Sequence, residues 1–288
     1  MRLFLIVSLK ITILGSGDSV GTPKWDCHCE TCETARKRGI PFSRTRFGIL
    51  IELLDTNKRI LIDTGPDLRS QLLNHNIDRI DAIFFTHGHY DHQSGFADFY
   101  RTRIPAVELF GTEETLNYIL SSGGIMKSIR YRTQEILPFH PIEYGGFQFT
   151  AFPVLHETSP TKPVGYVIEK LENDKKLVIT GDTGLNIPNK SLESINNPKN
   201  PDILIVDCFI DNQDETIERF KNFVFNFDLF RANHMIFPDV LEFIERVKPN
   251  KTYLIHLSHL CAPHDQLESN LKKYEHIKAA YDGLTINL

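Results

Sequence analysis

The sequence has no apolar run long enough to cross a bilayer as a helix, which takes about 20 residues. The opening stretch Met1–Leu9 imitates a leader, but Lys10 cuts the apolar run short and no small-x-small site appears. It reads instead as a buried first strand running on to Leu14. Positive charge is also short: 32 Lys and Arg against 37 Asp and Glu leave a net charge of −5. That balance disfavours non-specific nucleic-acid binding, which depends on many cation–phosphate contacts. No repeat, low-complexity tract or Pro/Gly-rich linker divides the chain, so residues 1–288 are expected to form one domain. An odd count of five cysteines argues against a disulfide framework and agrees with a cytoplasmic location.

Short apolar runs bounded by turn residues predict strands at 10–14, 47–53, 59–62, 82–85, 107–110, 147–152, 164–168, 177–180, 203–206 and 252–255. Gly145-Gly146 marks a hairpin after 141–144, and Glu172-Asn173-Asp174 marks another turn. Helical periodicity covers 66–74, 113–121, 238–248 and 265–274, with Pro238 suited to the first helical position. Many strands with interspersed helices imply two sheets covered by helices.

The chemistry gathers after the apolar run Ile83-Phe84-Phe85, in Thr86-His87-Gly88-His89-Tyr90-Asp91-His92. An extended segment would put His87, His89 and Asp91 on one side, and a turn at Gly88 or after Tyr90 would bring in His92. Three imidazoles and a carboxylate are costly to bury without a partner, and a divalent cation is the natural one. His156, Asp182 and His256 each close another apolar run, so the set shares strand carboxyl ends.

His87-x-His89-x-Asp91-His92, followed by His156, Asp182 and His256, resembles the metallo-β-lactamase superfamily. The resemblance implies an αβ/βα sandwich. It implies that His87, His89 and His156 hold one divalent ion, that Asp91, His92 and His256 hold a second, and that Asp182 bridges them. Zinc and manganese both accept such ligands. Asp63, in Leu61-Ile62-Asp63-Thr64-Gly65, matches the family's buried Asp that orients the metal loop by accepting an imidazole N–H.

Cys27-His28-Cys29-Glu30-Thr31-Cys32 follows Gly15-Ser16-Gly17 and Gly21-Thr22-Pro23. This combination resembles the PhnP-like cyclic phosphodiesterase subgroup, where three Cys and a late His bind a structural zinc. The resemblance makes His259 the fourth ligand beside Cys27, Cys29 and Cys32, and His28 competes by sequence proximity. Cys208 and Cys261 read as structural. Gly15-Ser16-Gly17 reads as a tight turn, since no Gly-Lys-Ser/Thr follows.

The resemblance further implies hydrolysis of a small, possibly cyclic, phosphate diester by a metal-bridging hydroxide. Asp182 would hold the metal pair and His234 would serve as general acid. Thr158, Ser159 and Lys162 are candidate phosphate contacts, and His75, His140, His264 and His276 read as surface residues. An aromatic-rich insertion at 209–231 departs from the subgroup and is assigned to core, lid or dimer contact. A small phosphate ester is the expected partner, with a homodimer left open and a membrane disfavoured. Alternatives are transfer-RNA 3′ processing, thioester or lactone hydrolysis, and a non-catalytic carrier-like relative of the pyrroloquinoline quinone pathway. The filled ligand positions weigh against the last.

Overall fold

The computed structural model describes residues 9–121, 124–170, 175–211 and 226–288. The first half supplies β1 (Leu9–Gly15), β2 (Gly48–Leu53), β3 (Lys58–Ile62), β4 (Ala82–Phe84), β5 (Val107–Gly111) and β6 (Tyr131–Glu135). The second supplies β7 (Ile142–Tyr144), β8 (Phe147–Pro153), β9 (Val164–Lys170), β10 (Lys176–Ile179), β11 (Ile203–Asp207), β12 (Lys251–Ile255) and β13 (Ile277–Ala279). Last comes β14 (Thr285–Asn287), which returns to β1. Two seven-stranded sheets result, ordered β14-β1-β2-β3-β4-β5-β6 and β13-β12-β11-β10-β9-β8-β7. Strands β3 to β6 run parallel, as do β10 to β13, and the remaining pairings are antiparallel.

Alternation along the strands makes the layers. Ile60 and Ile62 enter the core between the sheets, while Leu61 enters the core on the outer face. Leu177 and Ile179 face Val178 across β10 in the same way. On the outer face of the first sheet lie α2 (Leu68–Asn74) and α4 (Glu113–Ser121), which contribute Leu68, Leu116 and Ile119. The second sheet is covered by α5 (Asn189–Asn196), α7 (Phe237–Val247) and α8 (His264–Leu271), through Ile195, Val240, Phe243 and Leu267. The order helices, sheet, sheet, helices is the αβ/βα sandwich. Phe84 ties its middle together, stacking on Phe110 at 4.3 Å in its own sheet and on Phe149 at 4.4 Å in the other. A Phe→Ala change at such a site typically costs about 3–5 kcal/mol.

The remaining helices are α1 (Glu30–Arg38), α3 (Tyr90–Gln93) and α6 (Phe227–Arg231). The Gly145-Gly146 hairpin forms, with φ of 60° and 83° at the two glycines as a primed turn requires. Pro238 falls one place later than expected, because Phe237 opens the helix. Gly15-Ser16-Gly17 is a close backbone approach more than a turn: a Cβ on Gly15 would lie 1.8 Å from the Arg46 carbonyl oxygen. Residues Met1–Ser8, the Glu172-Asn173-Asp174 turn, and Phe220, Phe223 and Phe225 of the insertion lie outside the described residues. Among the described residues no helix is long and apolar enough to cross a membrane.

His140 and His276 are exposed as expected, but His75 and His264 are half-buried. The reason at His264 is Arg44, a buried guanidinium that donates to Ser16 Oγ at 2.9 Å and to the Ala280 carbonyl. Its Nη2 lies 3.1 Å from His264 Nδ1, which therefore accepts. Burial, and next the Arg44 charge, push His264 from 6.5 down to about 4. The unfolded chain thus binds this proton first, so stability is full above about 6.5 and falls as pH drops towards 4. His264→Gln should lose less of its urea midpoint than the wild type between about pH 7 and pH 5. Equal losses in the two proteins would assign the slope to other groups.

Candidate metal centre

The apolar strands end at one rim and there hand the chain to polar residues. Asp63 follows β3, His87 follows β4, His156 follows β8, Asp182 follows β10 and His256 follows β12. Gly88 lets the segment pass close to Tyr118, Thr161 and Pro160, each about 3 Å from where a Cβ would stand. The single turn of α3 then carries Asp91 and His92 inward. His89 is the N-cap in extended conformation, so the turn, expected at Gly88 or after Tyr90, begins at Tyr90 itself.

Two of the ligand clusters among the described residues correspond to the expected pair. His87, His89, His156 and Asp182 present one set of donor atoms within 4.8 Å of one another, and Asp91, His92, Asp182 and His256 present another. Asp182 belongs to both. In the second, His92 Nε2 lies 3.2 Å from Asp182 Oδ1 and 3.4 Å from Asp91 Oδ2. His256 Nε2 lies 3.5 Å from Asp91 Oδ2 and 3.4 Å from Asp182 Oδ2. Donors bonded tetrahedrally to zinc at about 2.05 Å stand roughly 3.3 Å apart, so the spacing suits a cation.

The outward ring nitrogens decide which lone pairs point in. His92 Nδ1 donates to Asp63 Oδ2 at 2.8 Å, and His156 Nδ1 donates to the Asn233 carbonyl at 3.0 Å. His89 Nε2 donates to the Thr158 carbonyl at 3.1 Å. Thr86 Oγ1 donates to Asp63 Oδ2 at 2.6 Å, which leaves its oxygen to accept from His87 Nδ1 at 2.9 Å. The inward atoms of His87, His89 and His156 are then lone pairs only 2.9–3.1 Å apart. In the second cluster Asp91 Oδ2, His92 Nε2, Asp182 Oδ1 and His256 Nε2 are buried without a hydrogen bond. Converging, orphaned polar atoms of this kind fit a divalent cation.

The charges agree. Burial drives His156 down to about 3, against the pull of Asp182. Burial acts on His256 in the same direction, but the Asp182 carboxylate, the contact with Asp91 and the Asp207 charge overcome it and raise the ring to about 9. The carboxylates around the second cluster therefore demand positive charge. Asp63 sits where the resemblance implied, fully buried, and takes a third hydrogen bond from the Thr86 backbone at 2.7 Å.

Cys27, Cys29, Cys32 and His259 also bring their donor atoms within 4.8 Å. Cys29 is the N-cap of α1 and Cys32 is buried in its first turn. His28 is not with them: its Nδ1 pairs with Glu33 at 2.8 Å on the exposed side. The long-range choice between the two histidines thus falls to His259. Cys208 and Cys261 are buried in the outer core, as expected.

His234 stands beside both clusters. Its ring stacks on His256 at 5.0 Å and lies 4.9 Å from His156. Phe209 and Phe230, from the described ends of the insertion, pack against it at 5.3 and 5.4 Å. Its Nδ1 is held 2.9 Å from Asp207 Oδ2, so Nε2 is the free nitrogen. Asp207, buried and also 3.7 Å from His256 Nδ1, was not among the expected site residues. Its signal was available, since it closes an apolar strand just as Asp182 does. Asn233, which gave no such signal, accepts from Thr158 N at 2.8 Å and Thr158 Oγ1 at 3.0 Å. Thr158 and Ser159 are corrected as phosphate donors. The Ser159 hydroxyl is spent on the Thr161 carbonyl at 2.6 Å, and the Thr158 hydroxyl on Asn233. Lys162 is exposed, with its backbone N–H on Glu114.

A family model for the beta-lactamase superfamily domain matches residues 58–257. An octanoyltransferase of Porphyromonas gingivalis is 26% identical over 286 residues, which cover 96% of this chain and 51% of the relative. The chain thus spans about half the length of that relative. The crystal structure of a diphosphatase from the PhnP family superposes with a TM-score of 0.77 at 26% identity, covering 97% of this chain and 98% of the other. Zinc-bound PqqB from Methylobacterium extorquens superposes at 0.81 with 19% identity, covering 97% and 100%, a likeness of fold.

Elemental analysis separates the clusters. Cys32→Ser should retain about one zinc fewer per chain than the wild type after dialysis, and Asp182→Ala should lose metal from the other two clusters while keeping the cysteine-bound ion. Unchanged content in Cys32→Ser would remove the cysteine cluster from the metal sites.

Proposed function

We propose, for a chain that belongs to the beta-lactamase superfamily, that it is a metal-dependent phosphodiesterase acting on a small phosphate diester. The observation that carries this reading is His234, fixed by Asp207 at Nδ1 with Nε2 free, beside two ligand clusters that share Asp182. Bound divalent ions would supply Lewis acidity and water ionised near neutral pH. His87, His89 and His156 would hold one ion, Asp91, His92 and His256 the other, with Asp182 between them and zinc and manganese both admissible. Cys27, Cys29, Cys32 and His259 would hold a structural zinc.

The chain's own groups account for the rest. Asp207 keeps the proton of His234 on Nδ1 when the ring is neutral, and a second proton on Nε2 makes it an acid. An alkoxide leaves a phosphate diester only with difficulty unless it is protonated, and an imidazolium is suited to that transfer. Phe209 and Phe230 press on the ring and restrict its rotation. The diphosphatase neighbour, with nearly complete mutual coverage, supports phosphorus–oxygen chemistry.

A second reading, acyl ester or thioester hydrolysis, is favoured by the octanoyltransferase relative. A thiolate leaves without protonation, so His234 would be dispensable there. A panel of bis-aryl phosphate, an alkyl aryl diester, cyclic nucleotides, an octanoyl thioester and a β-lactam distinguishes the two. Diester turnover should exceed thioester turnover, and chelation should abolish it. His234→Ala should slow loss of an alkyl group by roughly 10²–10⁴ and loss of an aryl group by much less. Thioester turnover alone would replace the first reading with the second, and equal losses for the two leaving groups would remove His234 from the acid role.

A further inference from the structure

A cavity of about 750 Å³ opens at the far end of the first sheet from the ligand clusters. Its walls include Arg59 at the start of β3, Ile80 just before β4 and Pro105 just before β5. Those are the amino ends of strands whose carboxyl ends lead to Asp63 and His87. The rise of β3 alone separates the two rims by about 15 Å, so a molecule in this cavity does not touch the metal centre.

The floor is apolar. Leu72, Ile77 and Ile104 are partly buried and pack on the outer core around Leu61, Ile83 and Leu109. Leu73 stands at the mouth, 60% exposed. The rim is basic in a chain whose net charge is −5. Two of its four arginines are tied down: Arg59 lies 3.1 Å from Asp78 and 3.5 Å from Glu52, and Arg79 bonds the Asn57 carbonyl and lies 3.4 Å from Asp81. The other two, Arg69 and Arg103, have guanidiniums with no hydrogen bond or ion pair among the described residues. Asp98, the remaining carboxylate of the wall, is occupied with the Arg69 backbone N–H at 3.1 Å.

Unpaired surface arginines are common and by themselves mean little. Here they border a concave apolar floor, and the volume falls within the range of small-molecule sites. Arg69 and Arg103 line the same cavity, and a guanidinium presents parallel N–H donors to two oxygens, which suits a dianionic head. We propose that this cavity binds an amphiphilic phosphate monoester, with its dianionic head on Arg69 and Arg103 and its apolar body on Leu72, Leu73, Ile77 and Ile104. Because the hydrolytic clusters lie at the other rim, the bound molecule is a ligand of this site and not a substrate in transit.

Calorimetry with octyl phosphate below its micellar concentration tests the assignment, with inorganic phosphate and octanoate as comparisons. Octyl phosphate should bind at least about tenfold more tightly than either. The double variant Arg69→Ala/Arg103→Ala, at exposed positions that leave the core intact, should weaken it by about tenfold or more, and Leu73→Asp should do the same. Metal content and diester turnover should be unchanged in both. Equal affinity for inorganic phosphate would leave the apolar floor without a role and overturn the proposal, as would octanoate binding equally well. Binding that survives in the double variant but vanishes in Asp182→Ala would place the ligand at the metal centre instead.

Discussion

Lone pairs from five imidazoles and two carboxylates converge at one rim of the sandwich, and their mutual repulsion is the constraint the rest of the site answers. Left alone, such donors would turn away or take up protons. They cannot turn, because His87, His89, His92 and His156 are each anchored by the outward nitrogen. The anchors come from separate parts of the chain: Asp63 through Thr86 and directly, the Thr158 carbonyl, the Asn233 carbonyl. The inward geometry is therefore set by the chain's own hydrogen bonds, which is what a binding site for a cation requires.

Backbone conformation contributes to the same end. Asp63 and His256 both have positive φ, 60° and 62°, a region that side chains with a Cβ seldom occupy. Each such residue costs on the order of 1 kcal/mol or more. Both follow directly on the last residue of a strand, β3 and β12. Asp63 then recovers part of that cost through three buried hydrogen bonds, two of them from Thr86. His256 has no hydrogen bond at either ring nitrogen, and its return comes from the carboxylates of Asp91, Asp182 and Asp207 around it. That ring of carboxylates calls for positive charge at His256 Nε2, which a proton or a cation supplies.

Much of this was legible in the sequence because burial leaves a pattern. Among the described residues every predicted strand formed, and the ligand motif lay where apolar runs stop. What was not legible lacks that pattern. The edge strand β6, Tyr-Arg-Thr-Gln-Glu, is largely exposed, and β13 and β14 are three residues long. Helix α1, Glu-Thr-Cys-Glu-Thr-Ala-Arg-Lys-Arg, buries only Cys32 and Ala35, so its periodicity is too faint to read. Asp207 followed the same rule as Asp182 and was overlooked for want of a motif around it. The Asn233 and Thr158 carbonyls act through the backbone, and side-chain identity carries no trace of that.

The two metal-ligand regions are mechanically one piece. His256 and His259 are three residues apart, and the residues between them are pinned on both sides. Leu257 N–H donates to the Ser16 carbonyl at 3.0 Å, and Ser258 N–H to the Phe209 carbonyl at 3.1 Å. Thr31, in the cysteine-bearing helix, donates to the Cys261 carbonyl at 2.6 Å. Were the cysteine cluster to lose its hold on His259, these backbone bonds would still keep Leu257 and Ser258 in place. The cysteine site is thus not needed to position His256 outright. A cation held by Cys27, Cys29, Cys32 and His259 would close the loop 24–32 onto the 256–261 segment, where α1 buries only Cys32 and Ala35.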